Sequence, residues 1–171
     1  MGNQASRFIS SGGLVVGSVL GMAGSFVPSV PVRGLLWGLD GLSLVVATAL
    51  LTIHHFRKGN DVVASGFLVF VAGQSLVLSS AAMDLSAGRP VFGAGAGLWA
   101  AALYLLSAPA VAALWVRIVG AVAGTLFLVV ALRLFMGQAL TALSEPLPSY
   151  AYPFLVATLI GWAWERYRDD A

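Results

Sequence analysis

Six apolar stretches, each of about membrane-crossing length, follow one another along the chain with only short polar breaks between them. A helix needs roughly 20 apolar residues to cross the hydrocarbon core of a bilayer, with about 17 to 25 tolerated. The stretches run from Gly12 to Phe26, Gly34 to Ile53, Val62 to Met83, Val91 to Leu106, Ala110 to Leu134 and Ser149 to Trp164. Composition leaves few alternatives. Of 171 residues, 59% are hydrophobic and 9% are charged, against about 25% charged in a soluble domain. Mean hydropathy is +0.92. Too few polar side chains are present to cover a soluble fold, which excludes a soluble enzyme, a nucleic-acid-binding domain and a disordered tail. The expected fold is all-α, a polytopic transmembrane helix bundle of six spans with short loops, and residues 1–171 read as one integral membrane domain.

The breaks have chemical causes. Pro28 and Pro31 bracket a turn after the first span, since proline cannot continue a helix. His54 to Asp61 forms a polar hinge with Gly59 and Asn60, and Asp84 to Pro90 carries the turn residues Gly88, Arg89 and Pro90. Ser107-Ala108-Pro109 makes a tight connection, and Gly137 to Ser149 is the longest loop. Arg7, the apolar stretch after it and Ala23-Gly24-Ser25 also resemble a signal peptide, whose cleavage would leave five spans. Met1 to Ser6 fits a myristoylation pattern, which adds little to a chain with several spans.

Alternating the spans across the bilayer puts Arg7, Arg57, Lys58, Arg166 and Arg168 on one side and Arg33, Arg89 and Arg133 on the other. Basic residues collect on the cytoplasmic side, so five against three places both termini in the cytoplasm. The arginine-rich, lysine-poor composition suits a GC-rich bacterium, and the expected location is its inner membrane. Trp37, Tyr150 and Tyr152 then fall at the outer interface, and Tyr104, Trp162, Trp164 and Tyr167 at the inner one, where amphipathic rings belong.

Helices in lipid associate where small residues let backbones approach. Gly13, Gly17 and Gly21 recur every four residues in the first span as a glycine zipper, and Gly93 with Gly97, and Gly120 with Gly124, repeat the spacing. Gly66, Gly73 and Ser80 share a face of the third span. These positions are expected to pack within the bundle, and a contact between copies of the first helix is the sharper alternative. The partners expected are the lipid bilayer and either further copies of the chain or a larger membrane complex, with no nucleic acid.

Polar groups inside the hydrocarbon are costly and so point to function. Asp40 lies about 10 Å inside the second span at 1.5 Å rise per residue. Its stripe carries Arg33, Ala47 and His54, with Ser43 beside it. Gln74 on the third span sits at a similar height and is the expected hydrogen-bond partner of Asp40, with Arg33 or Arg133 in reserve. Arg117 is placed about 10 Å inside the fifth span by the same rise. Asp40, Gln74 and Arg117 are therefore the candidate intramembrane polar site, either pinning the bundle or lining a pathway.

His54 and His55 are consecutive, so they diverge by about 100° around a helix and cannot both ligate one haem. Both are expected at the interface beside Arg57 and Lys58. No cysteine is present, which removes disulfides and thiolate sites. No catalytic set, phosphate loop or metal-ligand spacing occurs, so no enzyme, cofactor or metal is expected. Pro31 with Trp37 and Pro109 with Trp115 would fit an inverted three-plus-three repeat that pairs Asp40 with Arg117. The function expected is a transporter or channel for a small solute or ion. The alternative is a non-catalytic accessory or assembly subunit of a larger membrane complex.

Overall fold

The computed structural model describes residues 2–138 and 146–168. These form six helices and no strand: α1 (Gly2–Gly24), α2 (Val30–Arg57), α3 (Asp61–Ala81), α4 (Leu85–Ser107), α5 (Leu114–Phe135) and α6 (Pro146–Arg168). Five of them, α1 to α5, are long and apolar enough to cross a membrane. The sixth, of 23 residues, has Glu165, Arg166 and Arg168 in its last turn.

The helix ends follow local chemistry. Gly59 (φ +73°) and Gly137 (φ +99°) adopt the left-handed conformation that ends α2 and α5. At α2, the Asn60 N–H donates to the His55 carbonyl at 2.9 Å and the Gly59 N–H to Phe56 at 3.1 Å. At α5, Gln138 and Gly137 donate in the same pattern to Arg133 and Leu134. Both are Schellman caps, where glycine avoids a Cβ penalty. Asp84 caps α4: its Oδ1 accepts from the backbone N–H groups of Ser86 at 3.1 Å and Ala87 at 2.9 Å.

Several boundaries differ from those expected. The first helix starts at Gly2 and not Gly12, so its polar N-terminal third is helical too. Pro31 lies inside the first turn of α2, where its missing N–H has no intrahelical acceptor to lose. The Asp84–Pro90 segment is a helix start, because the Asp84 cap begins α4 at Leu85 and leaves Pro90 near its N-terminus. Conversely, α5 begins at Leu114, four residues later than expected. Residues 108–113 form the connection. Most of the Gly137–Ser149 loop, residues 139–145, lies outside the described residues.

The helices close into a ring in chain order. Among the described residues each helix packs only on its two neighbours, and α6 packs on α1 to complete the circle. The start of α1 and the end of α6 meet at one end of the ring, where the rings of Phe8 and Tyr167 are 6.3 Å apart and the Arg7 guanidinium lies 5.6 Å from the Tyr167 centroid.

Glycines set the closest approaches. A Cβ at Gly13 would come 2.9 Å from Ala47, one at Gly17 2.6 Å from Leu44, and one at Gly21 2.9 Å from Asp40, all on α2. The stripe on α1 is thus used inside the chain. Gly73 of α3 and Gly95 of α4 meet in the same way, each within about 3 Å of the other's backbone oxygen once a Cβ is built. Gly66 faces Leu106. On the α4–α5 seam, Gly93 meets Leu134, Gly97 meets Ala131 and Gly124 meets Leu103, at 3.3 to 3.7 Å. Gly120 lies between Ser107 and Thr158.

Candidate intramembrane polar site

Side chains from five of the six helices, α2 to α6, form two aromatic layers inside the ring. The layer nearer the termini joins His55 of α2, Phe67 of α3 and Trp162 of α6. His55 stacks on Phe67 at 5.6 Å, and Trp162 meets both rings edge-on at 5.6 and 5.2 Å. It bridges α3 and α6, which share no backbone contact. The second layer joins Phe70, Trp99, Phe127 and Tyr152. Trp99 stacks on Phe70 at 5.8 Å and meets Phe127 and Tyr152 edge-on at 5.1 and 6.3 Å.

Three polar groups border the second layer. Gln74 is one turn beyond Phe70 on the helix face that also carries Phe67, so it points into the ring. It is 1% exposed, and its Oε1 has no hydrogen-bond partner among the described residues. Trp99 is 3% exposed, and its Nε1 likewise has no partner. A Cβ on Gly73 would come 2.9 Å from Trp99 Cδ1, the carbon bonded to that nitrogen, so the donor lies beside the backbone that carries Gln74. The third group is Asp40. Its carboxylate rests against Gly21 of α1 and lies within electrostatic reach of Tyr152 on α6. The missing side chain at Gly21 leaves α2 room to present an acid against α1.

The expected pairing of Asp40 with Gln74 is not made. No hydrogen bond or ion pair involves Asp40 among the described residues, and the reserve arginines are occupied or elsewhere. Arg33 is buried, donates to the Val27 carbonyl at 3.4 Å and lies over Trp37 at 5.5 Å. Arg133 is exposed at the end of α5. Asp40 rotated toward α1 because Gly21 offers space there, whereas Leu78 of α3 fills the space over Gly41.

Arg117 is not part of this site. Because α5 starts at Leu114, Arg117 is only about 5 Å along the helix. Its Nε donates to the Ser107 carbonyl at 2.8 Å and its NH2 group to Ala108 at 3.0 Å. It thus caps the C-terminus of α4, where a cation meets unpaired carbonyls and the negative end of the helix dipole. Glu165 does the converse for α5, accepting from the Ala113 N–H at 3.1 Å. The repeat that pairs Asp40 with Arg117 fails for the same reason: Pro31 is inside α2, but Pro109 precedes α5 by five residues.

Three of the residues expected at an interface face into the ring: His55, Trp162 and Tyr152 build the aromatic layers. Trp99 carried no signal in the sequence, since an indole in an apolar run reads as one more hydrophobe. Only its unpartnered N–H marks it.

The chain matches no family model, no curated protein and no solved structure. Function therefore rests on the site alone.

Proposed function

We propose that the ring is a small membrane transporter whose solute, a small molecule or ion, crosses its interior past Asp40, Gln74, Trp99 and Tyr152. Leaving a buried donor or acceptor unpaired costs about 1–3 kcal/mol each. Two such atoms and an acid without a cation are expensive for a fold with about 5–15 kcal/mol of total stability. Polar residues that only pin a bundle would pair with one another. The unpartnered Gln74 Oε1 and Trp99 Nε1 inside the ring carry this reading. The His55–Phe67–Trp162 layer closes the interior toward the termini, which favours a solute carrier with a closed state over an open channel.

The ring lies in a bacterial inner membrane with both termini in the cytoplasm. Once Arg117 is placed at the terminal end, six of the nine basic residues gather there (Arg7, Arg57, Lys58, Arg117, Arg166 and Arg168), as the cytoplasmic excess of basic residues requires. The protein performs no covalent chemistry. Reconstitution into proteoliposomes tests the reading: solute flux should appear with the wild type and fall to background with Asp40→Asn. Absence of flux for protons, inorganic ions and small polar solutes alike would favour an accessory subunit.

A further inference from the structure

We propose that the seam between α1 and α6, where the ring closes, carries on its outer surface a binding site for an anionic phospholipid. The site is separate from the ring's interior and does not depend on what the ring carries.

The headgroup end is built from cations set among exposed rings. Arg7 of α1 lies 5.4 Å from the Phe8 centroid and 5.6 Å from that of Tyr167 on α6. Tyr167 stacks on Trp164 at 6.4 Å, and the Arg168 guanidinium lies 5.9 Å from the Trp164 centroid. One strip of side chains thus crosses the seam, with an arginine at each end. Its three rings are each 47 to 55% exposed, so the strip faces outward.

Neither arginine has a counter-ion. Arg7 and Arg168 make no hydrogen bond or ion pair among the described residues, and Glu165 on the same turn of α6 accepts from the Ala113 N–H. Guanidinium groups bind phosphate through paired N–H donors. Tryptophan and tyrosine settle at the level of the headgroups.

A groove below the strip favours a lipid over a free phosphate. Gly12 and Val15 follow Phe8 on the same face of α1, at the four- and seven-residue spacings of a helix stripe. A Cβ at Gly12 would meet nothing within 4 Å, and Val15 is exposed. Across the seam, Ile160 is exposed one turn before Trp164. The outer face is therefore cationic at the ring's end and apolar toward its middle, which is the order of headgroup and acyl chain. A lipid seated there ties the last helix to the first.

The test is titration of dioleoylphosphatidylglycerol into the purified full-length chain in detergent, followed by native mass spectrometry. Dioleoylphosphatidylcholine, whose phosphate is neutralised by its own ammonium, and inorganic phosphate are the comparison probes. Phosphatidylglycerol should bind saturably and about tenfold more tightly than phosphatidylcholine, and excess inorganic phosphate should not displace it. Arg7→Gln and Arg168→Gln should each weaken binding about tenfold, the worth of one charged hydrogen bond. Arg57→Gln, at an exposed arginine outside the strip, should leave affinity unchanged. Thermal unfolding in detergent confirms that each variant is folded. Equal binding of the two lipids, or an equal loss with Arg57→Gln, would overturn the site in favour of general surface charge. Displacement by inorganic phosphate would overturn the lipid as its ligand. Asp169 and Asp170, next in the chain, are the competing anions. Replacing both by asparagine should not change affinity, and a tenfold gain would overturn the proposal by showing that the chain's own acids occupy the arginines.

Discussion

The carboxylate of Asp40 lies directly against Gly21 of the neighbouring helix: a Cβ on Gly21 would come 2.9 Å from Oδ2 and 3.0 Å from Cγ. The acid therefore owes its position to the absence of a side chain. Gly21→Ala should push the carboxylate out of place while leaving the α1–α2 seam otherwise intact. Asp40-dependent flux is expected to fall several-fold with little change in the thermal midpoint. Unchanged flux would show that the position of the acid does not matter.

Gly17 sits deeper on the same seam, with Leu44 2.6 Å and the Asp40 carbonyl 3.2 Å from a built Cβ. Gly17→Leu should hold α1 and α2 apart and cost about 1–3 kcal/mol by overpacking. Thermal unfolding in detergent measures this, and an unaltered midpoint would mean that the two helices do not pack at Gly17.

Sequence periodicity makes the ring's raw material legible: six apolar runs, breaks at glycine and proline, and small residues at spacings of four. It also makes Asp40 and Gln74 visible, because polar atoms inside an apolar run stand out. Depth is harder to read. Arg117 looked buried only because Ala110 to Ala113 are apolar enough to extend a span, although they form a turn. Tyr152 and Trp162 looked interfacial because amphipathic rings near span ends usually are. That they also face into the ring depends on which side of α6 meets it, and the polar and proline residues of that helix blur the pattern. The contact of Asp40 with Gly21 has no local signature, because it joins residues on two helices.

Arg117 should behave as a cap and not as a site residue. Arg117→Gln removes the charge from the two bonds to Ser107 and Ala108. A loss of about 1–2 kcal/mol in stability is expected, with solute affinity unchanged. A loss of affinity as large as that of Asp40→Asn, at undiminished stability, would place Arg117 in the site after all.

Asp84 gives a pH signature outside the membrane layer. The Ser86 hydroxyl, followed by the Ala87 and Ser86 N–H groups, holds its carboxyl below the usual carboxylate range. A carboxyl lowered in the folded state adds stability above its unfolded value of about 3.9, and that contribution is lost as pH falls through the folded value. Asp84→Ala should thus lower the thermal midpoint at neutral pH, and the gap from wild type should narrow in acid. A gap independent of pH would mean that the charge on the cap contributes nothing.

The most direct measurement asks whether water-borne reagents reach Asp40 and Gln74. The chain has no cysteine, so single cysteines can be introduced one at a time without background. A positively charged, membrane-impermeant methanethiosulfonate is applied to proteoliposomes carrying Asp40→Cys or Gln74→Cys. Lys58→Cys in the α2–α3 turn serves as the aqueous control, and Leu42→Cys, exposed on the outside of α2, serves as the lipid control. The expected result is labelling of Asp40→Cys and Gln74→Cys at rates well above Leu42→Cys. Labelling of Lys58→Cys alone, with both interior cysteines as inert as Leu42→Cys, would contradict a solute site inside the ring.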